Sequence, residues 1–366
     1  MYIKETELVN FRNYEKAELK FHRKVNIFTG NNAQGKTNLL EAVYISAFGR
    51  SFRFGNDNEM IKLGENLCRV KTLAERDDRE TSVEIAIGKK EKGVKINGVK
   101  IKKTAELLEN ILIVVFSPED LKIIKGEPDK RRSFMDRELS QIRPSYYSDL
   151  ASYRKALMQR NALLKEKRAK KQDFDVWDLG LSEYGTRVIQ KRKDFIEKIK
   201  RISEKTHKSI TDGKENLDII YDASVYAGEN TKEAFLFKLK ENLSTDILRG
   251  NTEAGPHRDD LKISINGLDI RKFGSQGQQR TAALSLKLAE LALIKEETGE
   301  EAILLLDDVL SELDSDRQKY LIKTLRDVQL FITATEINSE VYKSLPAGYL
   351  FNISNGKIEN IGELVT

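Results

Sequence analysis

The chain has 366 residues, 39% apolar and 33% charged, and its 63 Lys and Arg against 58 Asp and Glu leave a formal net charge of +5. That is enough apolar side chain for one or two real cores, while no stretch approaches the roughly 18 continuous apolar residues of a membrane-spanning helix, and residues 1–5 lack the layout of a secretory signal. One cysteine, Cys68, rules out an intramolecular disulfide framework and three histidines leave little for structural zinc, so a reducing cytoplasm and no zinc site are expected; the mild charge tolerates a nucleic-acid partner without arguing for one.

Ile3, Leu8 and Phe11, then Ala17, Leu19 and Phe21, alternate with charged residues and predict two strands about a bend at Arg12-Asn13-Tyr14. Val25–Thr29 is a short apolar strand ending at Gly30, and Asn38–Phe48 has helical spacing. Strands follow near Cys68–Leu73 and Ser82–Ile87, a hairpin is signalled by Asn97-Gly98, and Ile111–Phe116 is apolar throughout. From Glu119 to about Lys208 the pattern turns helical. Leu150, Tyr153, Leu157, Asn161 and Leu164 step by three and four, as do Leu181, Tyr184, Val188, Phe195, Ile199 and Ile202, with one polar slot near Arg192. A linker over 170–178 between the two runs predicts a helical hairpin. Its basic residues include Arg154, Lys155, Arg160, Lys165, Lys167 and Arg168, read either as a solvated face or as a surface for phosphates.

Strand character returns at Leu217–Tyr226, with a helix over Ala234–Leu243. Beyond it come a strand at Leu261–Ile265, a turn at Asn266-Gly267 and a long amphipathic helix from Gln276 to Glu297. Ile303–Leu306 reads as a buried strand, Asp316–Leu325 as a helix and Leu330–Thr333 as a strand, before a hairpin across Asn355-Gly356. The simplest organisation is one α/β head made from both ends of the chain around a mostly helical insertion.

Gly30-Asn31-Asn32-Ala33-Gln34-Gly35-Lys36-Thr37 fits G-x-x-x-x-G-K-[ST] between a strand and a helix. Glycines let the backbone curl so that successive N–H groups face a phosphate, and the helix start aims its dipole there. Lys36 then reaches the β- and γ-phosphates of ATP, and the Thr37 hydroxyl holds Mg²⁺. The apolar strand 303–306 ends in Asp307 and Asp308. A buried parallel strand brings Asp307 to the metal and Asp308 to the attacking water, although an Asp after a strand also suits a helix N-cap. Ser275-Gln276-Gly277-Gln278 stands at a helix start, where Ser275 is either an N-cap or a phosphate ligand.

In their order along the chain, these pieces resemble the split head of SMC/ABC ATPases. The core Ser275, Gly277 and Gln278 is similar to their signature sequence, and Ser311-Glu312-Leu313-Asp314 to their D-loop. Residues 8–14, 116–121, 125–132 and 255–260 further resemble the RecF family. The resemblance implies an ABC/SMC-type ATPase head of residues 1–116 and 254–366, with a mostly helical insertion over 117–253. It implies Arg12 and Asn13 near the nucleotide, Ser275 on the γ-phosphate of an opposite subunit, and Ser311 and Asp314 on the dimer seam. Family members are cytoplasmic DNA-repair ATPases that dimerise with ATP, bind DNA and act with RecR and RecO, supporting recombinase loading, replication restart and the SOS response. Without a base-reading array, contact with single- or double-stranded DNA is expected to be sequence-independent.

This chain departs from the wider pattern in three places. Asp308 stands where SMC and transporter heads have Glu, which implies slow turnover. Ser117 or Glu119 occupies the place of a Q-loop glutamine, and Thr333 or Thr335 that of the transporters' switch histidine. The alternative of an ATP-binding subunit of a membrane transporter has to explain the long insertion and the missing histidine.

Overall fold

The alternating first segment folds as two antiparallel strands, β1 (Tyr2–Phe11) and β2 (Tyr14–Lys20), with the apolar residues of β2 buried and its charged ones exposed. The structure, a computed structural model, describes residues 1–53, 55–166, 170–325, 327–335 and 343–364. β3 (Val25–Thr29) runs into the loop that opens α1 (Lys36–Phe48). β4 (Leu67–Arg76), β5 (Arg79–Gly88), β6 (Lys92–Ile96) and β7 (Val99–Lys100) complete an antiparallel sheet in the order β2-β1-β4-β5-β6-β7. A short α2 (Ala105–Leu108) then leads to β8 (Ile113–Phe116).

From Leu121 the chain builds a second unit. Its elements are α3 (Leu121–Lys125), α4 (Pro128–Ile142), α5 (Pro144–Leu164), α6 (Asp175–Ile210), β9 (Leu217–Asp222), α7 (Thr231–Arg249), β10 (Asp260–Ile265), β11 (Leu268–Asp269), α8 (Ile270–Phe273) and α9 (Gln276–Thr298). The apolar residues of α6 recur every three or four positions, so one stripe of this 36-residue helix is buried along its length. The expected helical hairpin is present as α5 and α6. Its linker lies earlier than predicted, because α5 ends at Leu164, a 3₁₀ turn over Lys171–Phe174 buries Phe174, and α6 already starts at Asp175.

The chain then returns with β12 (Ile303–Asp307), α10 (Ser315–Thr324), β13 (Leu330–Ala334), β14 (Gly348–Ser354) and β15 (Lys357–Leu364). These strands join β3 and β8 in a second sheet, ordered β15-β14-β3-β13-β12-β8. All its pairings are parallel except that of β15 with β14. Strands in such a sheet are covered on both faces, which is why β3, β12 and β13 are largely apolar and buried almost end to end, Asn26 and Thr333 included.

Contacts divide the chain into Met1–Asp120 with Ile294–Thr366, and Leu121–Leu293. The first unit is thus an α/β head assembled from both chain ends. Residues 254–293, which the sequence reading gives to the head, pack with the inserted unit instead. β10 pairs with β9, and Ala282, Leu286 and Leu293 of α9 share a core with Phe134, Phe195 and Leu217.

Candidate nucleotide site

Parallel strands deliver their last residues to one edge of a sheet, and β3, β12 and β13 end there at Thr29, Asp307 and Ala334. The loop from β3 to α1 has positive φ at Gly30 (140°), Ala33 (64°) and Gly35 (115°). A Cβ on Gly30 would lie 2.2 Å from the Ile353 carbonyl oxygen, so only glycine permits that approach. No side chain caps α1 and no acid stands in its first turn. Its leading N–H groups and positive dipole end are therefore offered to an anion.

The Lys36 ammonium donates to the carbonyls of Gly30 and Asn31 at 2.6 and 2.9 Å. Burial lowers its pKa, and the charges of Asp308 and Asp307 work against that shift. The Thr37 hydroxyl donates to Asp307 Oδ1 at 2.8 Å, and the Thr333 hydroxyl donates to the same oxygen at 2.9 Å. Thr333 Oγ1 also accepts the Asp308 N–H at 3.0 Å. Burial holds the Asp307 carboxyl above the ordinary carboxylate range even though both hydroxyls favour its charged form. Asp308, at φ 57°, is exposed on the wall of a cavity of about 240 Å³ lined also by residues 32–38, Arg53 and Thr333.

Thr37 and Asp307 present two hard oxygens in contact, which fits Mg²⁺. Among the described residues no group of three or more His, Cys, Asp or Glu could hold a metal ion. An ion on Thr37 and Asp307 would therefore draw its other ligands from phosphate and water, as Mg²⁺ commonly does.

Asn13 backs the loop, donating to the Gln34 carbonyl at 3.0 Å and accepting from Asn38 at 2.8 Å. Arg12 is turned to the buried carboxylate of Glu41, with Nε and Nη2 at 2.8 and 2.6 Å. That contact, more than anything else, raises its pKa. Sequence reasoning missed Arg53, which lines the cavity with Nη1 on Asn38 Oδ1 at 2.9 Å. No motif flags it, and its one signal is a cation just past the end of α1. Of the two threonines considered, Thr333 touches both aspartates. Ser117 donates to Asp120 through its N–H and hydroxyl, at 2.7 and 3.2 Å. Ser311 donates to the Asp308 carbonyl at 2.8 Å, and Asp314 caps α10 through the Arg317 N–H at 3.0 Å.

In the second unit, Ser275 and Gln278 form a reciprocal cap on α9. Ser275 Oγ accepts the Gln278 N–H at 3.2 Å, and Gln278 Oε1 accepts the Ser275 N–H at 2.9 Å. Gln278 Nε2 donates to Glu215 at 3.0 Å, and the other oxygen of Glu215 lies 3.0 Å from Nε2 of the buried His207. The Gln278 side chain is thus engaged within its own unit, whereas Ser275 and Gly277 are exposed.

Lys155 and Lys165 are exposed, Arg154 is exposed but reaches Asp136 at 2.8 Å, and Lys167 and Arg168 lie outside the described residues. Arg160 corrects the sequence reading of a basic surface. Its side chain is fully buried, with Nε on Asp178 at 2.6 Å and Nη1 on Asp246 and Thr252 at 2.7 and 2.8 Å. Two acids from distant positions make that burial tolerable. Segments 125–132 and 255–260, whose roles the sequence left blank, likewise meet around buried charge. Arg131 grips Asp260 at 2.6 and 2.9 Å, and Arg192 donates to the Pro256 carbonyl at 2.6 Å and to Asp136 at 2.7 Å.

The family described as RecF/RecN/SMC N terminal domain matches residues 2–347. The DNA replication and repair protein RecF of Alkaliphilus oremlandii (strain OhILAs) is 46% identical over 367 residues, covering 98% of this chain and 100% of the relative. Its counterpart in Clostridium botulinum (strain Okra / Type B1) is 44% identical over 364 residues, covering 99% and 100%. A solved structure of the recombination mediator protein RecF-ATP in the RecFOR pathway matches with a TM-score of 0.91 at 41% identity, over 100% of this chain and 98% of that one. The corresponding RecF-ATPrS structure gives 0.90 at the same identity and coverage.

Proposed function

This chain belongs to the RecF family of SMC/ABC-type ATPases, and on that footing we propose that it is an ATP-hydrolysing protein of DNA replication and repair in which bound ATP closes two copies on DNA. The transporter alternative gives way to the full-length match with RecF proteins. The observation that carries the chemistry is the contact of Thr37 with Asp307 beside Lys36 and Asp308, at the mouth of an anion-ready loop.

In this reading the loop amides and the start of α1 receive the β- and γ-phosphates, and Lys36 exchanges its two loop carbonyls for phosphate oxygens. Thr37 and Asp307 hold Mg²⁺, which when bound neutralises charge on the departing phosphates. Asp308 orients the attacking water and accepts its proton. Its side chain is one methylene shorter than the glutamate of related heads, so turnover is slow. The exposed Ser275 and Gly277 of one copy cap the γ-phosphate held by the other, with Ser311 and Asp314 on the seam. Arg154, Lys155 and Lys165 are the described candidates for sequence-independent contact with single- or double-stranded DNA. Action with RecR and RecO in the cytoplasm, recombinase loading at gaps, replication restart and support of the SOS response follow from the family.

Sedimentation with and without ATP tests this, comparing wild type with Ser275→Arg. Wild type should shift to a dimer with ATP, and the variant should bind ATP yet stay monomeric. An ATP-dependent dimer of the variant would remove Ser275 from the interface.

A further inference from the structure

One support of the phosphate loop comes from 321 residues along the chain, and the proposed chemistry does not use it. The turn between β14 and β15 is Asn355-Gly356, with φ of 47° and 69°, the two-residue geometry that tight hairpins favour. Both amides of this turn point at Gln34. The Asn355 N–H donates to Gln34 Oε1 at 2.5 Å, and the Gly356 N–H donates to the Gln34 carbonyl at 3.0 Å. That carbonyl also accepts from Asn13 Nδ2 at 3.0 Å. The fit is close, since a Cβ on Gly356 would lie 2.5 Å from the Asn13 carbonyl oxygen and 3.0 Å from its Nδ2.

Gln34 sits between Ala33 and Gly35, both at positive φ, in backbone that has no ladder of its own to set the direction of its N–H groups. Contacts from outside the loop must set it. We infer that the Asn355-Gly356 turn is a positioning element for nucleotide, fixing Gln34 and with it the curl of the phosphate-facing amides before ATP arrives. The inference rests on the proposed ATP site and adds to it two residues that lie outside the cavity wall. A preformed loop spares the ligand the ordering of its own site, so the turn should act on affinity and leave the chemical step alone.

The test uses the full chain, with a fluorescent ATP analogue for affinity, steady-state hydrolysis for KM and kcat, and thermal unfolding without nucleotide as the control for folding. Gly356→Ala drives a methyl against Asn13 and should weaken binding and raise KM about five-fold, the equivalent of one hydrogen bond, with kcat retained. Asn355→Gly keeps the amide and the positive φ and should bind as wild type does. Gln34→Leu removes the side-chain acceptor and should also weaken binding. The double variant Gln34→Leu/Gly356→Ala should lose less than the product of the two single losses, because the turn acts through Gln34. Wild-type affinity in folded Gly356→Ala, a loss confined to kcat, or independent losses in the double variant would each overturn the inference. Should Gly356→Ala not fold, wild-type affinity in Gln34→Leu would do so. A wild-type chain that binds no ATP would instead overturn the site itself.

Discussion

Replacing Arg160 by methionine separates a buried structural cation from a DNA-binding one. Methionine keeps much of the apolar stem but abandons Asp178 and Asp246, which lie 2.6 and 2.7 Å from the guanidinium. Burial already holds Asp178 above the ordinary carboxylate range against the pull of Arg160, and without that pull it would rise further. Removing one partner of a buried ion pair costs about 3–5 kcal/mol, chiefly through the charge left behind. At about 2–4 °C per kcal/mol for a unit of this size, the unfolding midpoint of the second unit should fall by roughly 10 °C. Circular dichroism on heating reads that shift, and neutralising the acids with Asp178→Asn and Asp246→Asn should recover part of it. DNA binding against salt gives the opposing measurement, since a residue on phosphate contributes about 0.7–0.9 to the slope of log affinity on log salt. An unchanged midpoint together with a slope reduced by that amount would refute the buried role.

Three further outcomes are expected. Asp308→Asn should retain the ATP-dependent dimer in sedimentation while hydrolysis falls by about a hundred-fold or more, and unchanged hydrolysis would remove Asp308 from the mechanism. Burial pushes the His257 imidazole down to about 4 from 6.5, so the unfolded chain takes up this proton first as pH falls. Stability should therefore drop from about pH 6.5 downwards by about 1.4 kcal/mol per unit, some 3 kcal/mol in all, and His257→Gln should flatten the denaturation profile over that range; parallel profiles would refute it. Glu215→Ala deprives Gln278 and His207 of a shared carboxylate, so ATP-driven dimerisation should weaken about ten-fold while single copies bind ATP normally; a dimer as tight as wild type would show that Glu215 does not set the start of α9.

What was legible in the sequence is what short-range chemistry dictates. The phosphate loop announced itself through glycine spacing between a strand and a helix, and β12 through four apolar residues running into two acids. Arg160 shows what composition hides. A basic run looks the same whether it meets water or acid, and the partners of Arg160 lie 18 and 86 residues away. A signal was present nonetheless, because Tyr153, Leu157, Arg160 and Leu164 form one helical stripe, which places the arginine among core positions. Gln278 carried a similar ambiguity. Ser-x-x-Gln is a capping box as well as part of a signature, and the side chain serves the cap. The grip of the 355–356 turn on Gln34 left no local trace, since it depends on the parallel register that brings β14 beside β3.

That register also constrains how the molecule is made. Val25, Ile27 and Phe28 of β3 have sheet neighbours only in 330–334 and 348–352. A ribosome adding roughly 5–20 residues per second would leave these side chains without their strands for about 15–60 s. The core that joins α4, α6, β9, β10 and α9 is drawn from residues 123–293, so the inserted unit can settle during that wait. The nucleotide pocket is accordingly among the last parts of the protein to come into being, and a nascent chain stalled before residue 330 would expose an oily strand and bind no ATP.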